Sequence, residues 1–197
     1  MTTTTRKERE RAARHQLIIS TARELAEAEG WGAVTTRKLS DRIEYSQPVL
    51  YSHFKGKRAI MDAVAIEGCE ELAAAMRRAR QSADNTEDAL SAAAGAYMDF
   101  GRRCPATFDA MFTLPGDLPF GPDAPQPLRD AFAELYAVFA PLAAHRDPTV
   151  FTEVGWSAVH GVAVLDRGGR LPAEYTEERL SILVDQLMAA FGTGHDS

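Results

Sequence analysis

The residues best suited to chemistry lie in the stretch 47–54, where Gln47, Tyr51, Ser52 and His53 surround two apolar positions. Leu50 and Phe54 are four residues apart, so in a helix they share one face, which we expect to point inward. The polar side chains then point away from the core. A glutamine amide can bond the edge of adenine with two hydrogen bonds, whereas Tyr and His more often reach phosphates or thymine methyl groups. The pattern therefore predicts nucleic-acid recognition by the exposed face of a short helix.

A second short helix must precede this one and hold it in place. Leu39 and Ile43 are again four residues apart, and Thr35 or Thr36 can cap the start of their helix. The turn 44–46 follows, with Ser46 as the expected cap of the next helix and Pro48 in its first turn, where a missing N–H does no harm. Two short helices joined by a tight turn are typical of the helix-turn-helix, whose second helix enters the major groove of DNA.

The residues of this stretch resemble the DNA-binding signature of tetracycline-repressor (TetR) family regulators. The resemblance rests above all on Leu50-Tyr51-Ser52-His53-Phe54 followed by Lys57, with Thr35, Leu39 and Ser46 before them. It implies that Thr36, Arg37 and Lys57 hold phosphates. The full set of predicted DNA-binding residues is Thr36, Arg37, Ser46, Gln47, Pro48, Val49, Tyr51, Ser52, His53 and Lys57.

Two positions depart from the family pattern. Glu44 stands where the family usually has Gly, and Ser40 where it has Ala. A residue other than Gly is uncommon at positive φ and costs on the order of 1 kcal/mol there.

Charge is divided unevenly along the 197 residues. The net charge of −6 separates into +5 for residues 1–60 and −11 for the remainder, so the basic end is the one attracted to phosphate. The charges in 6–14 could equally be a solvated helix face.

No apolar run approaches the length of a membrane span, and the first residues lack the apolar core of a secretory signal. The two cysteines, Cys69 and Cys104, are far apart, so we expect reduced thiols and a cytoplasmic protein.

The whole chain has helical periodicity and no alternation typical of strands, which predicts an all-α fold of about nine helices. We expect a flexible basic arm at 1–13, a helix-turn-helix domain at 14–60 with its first helix at 14–29, and a ligand-binding and dimerisation domain at 61–197. The later helices are predicted at 57–80, 86–103, 128–144, 148–165 and 176–191. We also expect a short helix that begins at Pro105 and carries Phe108, Met111 and Phe112, followed by an irregular Pro-rich loop at 114–127.

The second domain carries a weaker resemblance. Trp156-Ser-Ala-Val-His160-Gly161 is similar to the W…HG element of one class of TetR-family ligand-binding domains. The many large side chains nearby are first of all core, but the resemblance also implies an apolar small-molecule pocket with a few polar points. Its predicted ligand-binding residues are Tyr97, Met98, Phe108, Met111, Phe112, Tyr136, Trp156 and His160. Gly161 lowers helix propensity by about 1 kcal/mol, which is easiest to understand if another helix passes close to it.

The last two helices are apolar over more than one stripe, which favours a two-fold dimer built from them, as in the family. The predicted interface residues are Val159, Val162, Leu183, Leu187 and Phe191.

These features together predict a ligand-responsive transcriptional repressor that binds operator DNA as a homodimer. No catalytic signature occurs, and we predict no cofactor, catalytic residue or metal; His145 and Asp147 suit a helix-start loop better than a metal pair. A structural DNA-binding protein without an effector, or an enzyme with a helical docking head, are the alternatives.

Overall fold

The computed structural model describes residues 5–114 and 116–192, with side chains described as far as Ala189. Within those residues the chain forms nine α-helices and no strand, which confirms the all-α prediction. None of the described helices is both long and apolar enough to cross a membrane. The helices are α1 Arg6–Glu29, α2 Thr36–Ile43, α3 Gln47–His53, α4 Lys57–Gln81, α5 Thr86–Arg103, α6 Pro105–Phe112, α7 Gln126–Phe139, α8 Pro148–Arg167 and α9 Thr176–Gly192.

The first helix corrects the prediction of a flexible arm at 1–13. Helix α1 begins at Arg6 rather than Arg14, because Thr5 and Glu8 form a capping box. The Thr5 side chain accepts the Glu8 backbone N–H at 3.3 Å, and the Glu8 carboxylate accepts the Thr5 backbone N–H at 2.7 Å. Two donors that a helix start leaves unpaired are thus satisfied. Of the predicted arm, residues 1–4 lie outside the described residues.

Close packing divides the chain into two compact units, and the division differs from the predicted boundary at residue 60. The first unit comprises Met1–Gly68 and Ala106–Pro119, and the second comprises Cys69–Pro105 and Phe120–Ser197. In the first unit the predicted apolar stripe of α1 is confirmed, since Ile18, Ala22 and Leu25 are fully buried. Helix α6 therefore packs in the same unit as the helix-turn-helix.

Glu27 of α1 holds the start of α6. Its carboxylate accepts the backbone N–H groups of Ala106 and Thr107, both at 2.9 Å, and the Thr107 hydroxyl at 2.7 Å. The indole N–H of the buried Trp31 donates to the Ala106 carbonyl at 2.7 Å. A carboxylate at a helix N-terminus is stabilising because it meets unpaired N–H groups and the positive end of the helix dipole.

In the second unit, α5 packs against α7, α8 and α9. The Asp147 carboxylate caps α8 by accepting the N–H groups of Thr149 and Val150, as expected for a helix-start loop. Helix α7 ends at Phe139, where a short 3-10 helix over Ala140–Leu142 replaces its predicted last turn. The predicted irregular loop 114–127 is shorter than expected, because Gly121–Asp123 forms a 3-10 helix and α7 already begins at Gln126.

The close approach expected at Gly161 occurs instead at Gly155. A Cβ atom built on Gly155 would lie 2.5 and 2.6 Å from two ring carbons of Phe139, so only glycine lets α8 pack there. A Cβ atom on Gly161 would meet no described atom within 4 Å apart from its chain neighbours and the backbone of its own helix. Within one protomer, the prediction for Gly161 is therefore wrong.

Candidate nucleic-acid interface

Helices α2 and α3 form the predicted pair. The side chain of Thr35 caps α2 by accepting the Lys38 N–H at 3.1 Å. Ser46 occupies the N-cap position of α3, but its side chain makes no capping hydrogen bond, which corrects that detail. Leu39 and Leu50 are 0% and 1% exposed, so the two helices meet through the residues predicted to face inward.

The turn between the two helices contains Glu44, which stands where the family usually has Gly. Glu44 adopts φ 58° and ψ 32°, the left-handed conformation, despite its side chain. The backbone N–H groups of Glu44 and Tyr45 both bond to the Ser40 carbonyl, which closes α2. The turn therefore has a left-handed residue at the position where the family usually has Gly.

The second departure, Ser40, is 7% exposed. Its hydroxyl has no hydrogen-bond partner among the described residues. An unpaired buried hydroxyl costs free energy, so this serine is a local source of instability in α2.

The exposed face of α3 carries most of the predicted base-contacting side chains. Gln47, Pro48, Tyr51 and Ser52 are exposed, and Tyr51 keeps 54% of its surface accessible. The Ser52 hydroxyl donates to the Val49 carbonyl at 2.7 Å, a bond within the helix itself. Val49 and His53 are half-buried. Gln47 and Tyr51 are thus the large polar groups that this face presents.

The predicted phosphate-binding residues differ in their surroundings. Arg37 is exposed and forms no ion pair with any described residue. Thr36 is the first residue of α2, whose N-terminal N–H groups suit an anion. The Lys57 ammonium group instead donates to the Trp31 carbonyl within the same unit. Lys57 therefore holds the start of α4 as well as carrying charge.

The N-terminal half of α1 lies beside the end of α3, which the sequence did not indicate directly. The His15 ring stacks on Phe54 with centroids 4.4 Å apart, and it lies 5.9 Å from the His53 ring. Burial lowers the pKa of His53, and the neighbouring charges of His15, Arg11 and Arg14 lower it further. Extending the α1 stripe backward from Ile18 by three residues reaches His15, and that periodicity was the available signal.

Three predicted ligand-binding residues of the second unit form one hydrogen-bonded cluster. The Tyr97 hydroxyl lies 2.8 Å from His160 Nδ1 and accepts the Trp156 indole N–H at 3.0 Å. Burial raises the pKa of Tyr97 well above its usual range. Burial also lowers the pKa of His160, with a further contribution from the charge of Arg167. The cluster is therefore neutral near pH 7 and links α5 to α8.

The other predicted ligand-binding residues are placed separately. Met98 is buried in α5, whereas Tyr136 of α7 is 39% exposed. Phe108, Met111 and Phe112 lie on α6 in the first unit, where the rings of Phe108 and Phe112 contact each other with centroids 4.8 Å apart.

Two family models match the chain. Residues 18–64 match the model described as bacterial regulatory proteins of the tetR family, and residues 90–191 match the tetracyclin repressor-like C-terminal domain. The second match alone covers more than half of the chain. This protein belongs to the TetR family of transcriptional regulators.

Individual relatives agree with this TetR-family assignment. The class C tetracycline repressor of Escherichia coli is 48% identical over 50 residues, which are 25% of this chain but only 23% of that repressor. An uncharacterised HTH-type transcriptional regulator of Mycobacterium tuberculosis is 26% identical over 176 residues, 87% of this chain and 78% of that protein. The first relative is thus matched over about a quarter of its length, and the second over more than three quarters of it.

Solved structures show the same fold. A Rhodococcus protein of unknown function superposes with a TM-score of 0.74 at 21% identity, covering 89% of this chain and 93% of that one. A TetR variant from Acinetobacter baumannii, solved in complex with minocycline, has a TM-score of 0.60 at 21% identity, with the same coverage of both chains.

The predicted dimer residues of this TetR-family chain differ in how far they are buried. Val159 and Leu183 are 1% and 9% exposed, so they pack inside the protomer and cannot meet a partner directly. Val162 and Leu187 are half-buried, and the side chain of Phe191 lies outside the described residues. The same helices expose other apolar residues that the prediction did not include, namely Val150, Val154, Leu165 and Ile182. Burial corrects the prediction for Val159 and Leu183, whereas the assignment of Val162 and Leu187 to a dimer interface stays a prediction.

Proposed function

We propose that this TetR-family regulator is a cytoplasmic homodimeric repressor that binds operator DNA through α2 and α3 and is released by a small molecule. The observation that carries DNA binding is the exposed face of α3, where Gln47 and Tyr51 point away from the buried Leu50. Gln47 would read a base edge, and Arg37 at the start of α2 would hold a phosphate.

The dimer is inferred from the apolar residues that α8 and α9 leave exposed. Val154 is 62% exposed, and Leu165 and Ile182 are each 47% exposed. Half-buried Val162 and Leu187 would complete such a surface. A self-complementary apolar patch closes as a two-fold dimer, which would give two recognition helices for two half-sites.

The effector is inferred from the neutral cluster of Tyr97, Trp156 and His160. A small apolar molecule with a few hydrogen-bonding groups suits such surroundings. The Acinetobacter protein of similar fold, whose solved complex contains minocycline, supports the choice of tetracyclines among the first compounds to test. Releasing the operator a hundredfold requires about 2.7 kcal/mol of preference between the two states of the regulator. By linkage, DNA must then weaken effector binding by the same factor.

DNA binding is tested by selecting duplexes from a random-sequence pool with the purified chain. We expect a two-part site whose halves are about one helical turn, or a multiple of one, apart. Gln47→Ala should change the ranking of selected sequences. Arg37→Ala should weaken all of them alike and lower the slope of log Kd against log salt by about 1.8, or 0.9 for each of two phosphates. Selection of no sequence would contradict the proposal.

Arg37 is a cleaner phosphate probe than Lys57, because Lys57→Ala also removes the bond to the Trp31 carbonyl.

Effector release is tested on the selected duplex with a panel of tetracyclines and small apolar or cationic compounds. A compound that binds equally well with and without DNA is not coupled to the operator. If every binding compound behaved so, the regulator would be a constitutive DNA-binding protein, which is the alternative without an effector.

A further inference from the structure

The N-terminal half of α1 is a basic helix with little internal charge compensation. Residues 6–14 contain five basic and two acidic side chains, and all of them except the half-buried Arg14 are exposed. The Glu8 carboxylate caps the helix, and Glu10 pairs with Arg6 at 2.7 Å and with Arg14 at 3.7 Å. Lys7, Arg9 and Arg11 form no ion pair with any described residue. Three cations thus remain for an anionic partner.

These cations are carried on a rigid element with a defined position relative to α3. Stacking of His15 on Phe54 places α1 against the residue that ends α3. Arg11 precedes His15 by one helical turn, so it lies on the side of α1 that faces α3, and Lys7 lies one turn further out. The influence of Arg11 on His53 agrees with this placement. Arg9 is rotated by about 200° from Arg11 and points away.

Geometry gives the reach of this helix along DNA. From His15 back to Arg6 the axis rises roughly 14 Å, at 1.5 Å per residue. That length spans at most about four base pairs, at 3.4 Å for each pair, a reach attained where the axis of α1 runs along the DNA. A basic helix extending from one end of α3 would therefore pass over backbone outside the base pairs that α3 reads.

We propose that the N-terminal half of α1 is a second DNA-contact surface, on which Arg11 and Lys7 bind phosphates flanking each half-site. This inference rests on the proposed DNA-binding function and extends its footprint. It takes phosphate as the ligand because the helix offers positive charge with no apolar side chain beyond its alanines over 6–14. Such contacts would raise affinity and fix register without reading sequence.

The test compares Arg11→Gln with the matched control Arg9→Gln, which removes the same charge from the opposite face. Both variants are measured by fluorescence anisotropy on a duplex selected by the wild-type protein, between 0.1 and 0.2 M salt. Arg11→Gln should lower the salt slope by about 1.8 for two protomers, so the change in Kd over that interval becomes about 3.5 times smaller. Arg9→Gln should retain the wild-type slope.

A second measurement locates the contact. Removing about four base pairs from each flank of the duplex should weaken wild-type binding and abolish the difference between the wild type and Arg11→Gln. If the two variants, both still helical by circular dichroism, had equal slopes of log Kd against log salt, this part of α1 would be a solvated helix face. That result would overturn the inference but leave DNA binding by α3 in place. Failure to select any sequence would overturn the proposed function, and the inference with it.

Discussion

The two glycines of α8 provide a matched pair of substitutions with opposite expected effects. At Gly155, a new Cβ would overlap the Phe139 ring at 2.5 Å, and Phe139 is only 1% exposed and has little room to move. Forcing a methyl group into a packed core costs typically 1–3 kcal/mol. Ala is favoured over Gly in a helix by about 1 kcal/mol. With the contact this short, we expect Gly155→Ala to lower the free energy of unfolding by about 2 kcal/mol net.

At Gly161 only the gain in helix propensity applies, because the new Cβ would meet no described atom within 4 Å beyond its chain neighbours and its own helix backbone. Gly161→Ala should therefore raise the free energy of unfolding by about 1 kcal/mol. For a chain of this size, each kcal/mol shifts the melting temperature by about 2–4 °C. Gly155→Ala should thus melt about 4–8 °C below the wild type, and Gly161→Ala about 2–4 °C above it.

The measurement is thermal unfolding followed by circular dichroism, with sedimentation velocity on the same samples. If Gly155→Ala were as stable as the wild type, the close packing of α8 on Phe139 would be wrong. If Gly161→Ala were destabilised and also shifted toward monomer, the Cβ would be meeting a second copy of the chain. Destabilisation without a change in association would refute the reasoning on Gly161.

Three further predictions follow from single observations. Ser40→Ala should raise the free energy of unfolding by about 1 kcal/mol, since it removes a buried hydroxyl that has no partner in the described chain; a less stable variant in urea unfolding would contradict this. Ile182→Glu should give a helical monomer in sedimentation at micromolar concentration, because a charge at the proposed interface would have to be buried. The exposed Glu177→Lys, rotated by about 140° from Ile182 on α9, serves as the charge control. Because the pKa of His160 is lowered in the folded chain, the unfolded chain binds more protons than the folded one below about pH 6.5, so stability falls as the pH drops from there through the lowered pKa. His160→Gln should reduce this loss of stability between pH 7 and pH 5. An unchanged pH dependence of stability would show that His160 does not contribute.

Local patterns in the sequence were sufficient to find the helices and the recognition element, although not the start of α1 or the end of α7. Helix α5 begins and ends at the predicted residues, and Leu39 and Leu50 are buried as their spacing indicated. Apolar period, caps and prolines are short-range signals, so one stretch of chain contains all that is needed to place a helix and its apolar face. The L-Y-S-H-F stretch identified the family for the same reason.

Tertiary structure decided which partner covers each face. Periodicity shows that α8 is apolar on several sides, but only packing places Val159 inside the protomer and leaves Val154 exposed. Likewise, a glycine allows another residue to pack closely against the helix but does not determine whether one does. The sequence therefore could not distinguish Gly155 from Gly161. The hydrogen bond from Lys57 to the Trp31 carbonyl joins residues 26 positions apart. The hydrogen bonds from the start of α6 to the Glu27 carboxylate join residues about 80 positions apart. Contacts at such separations depend on how helices pack, and no local pattern encodes them.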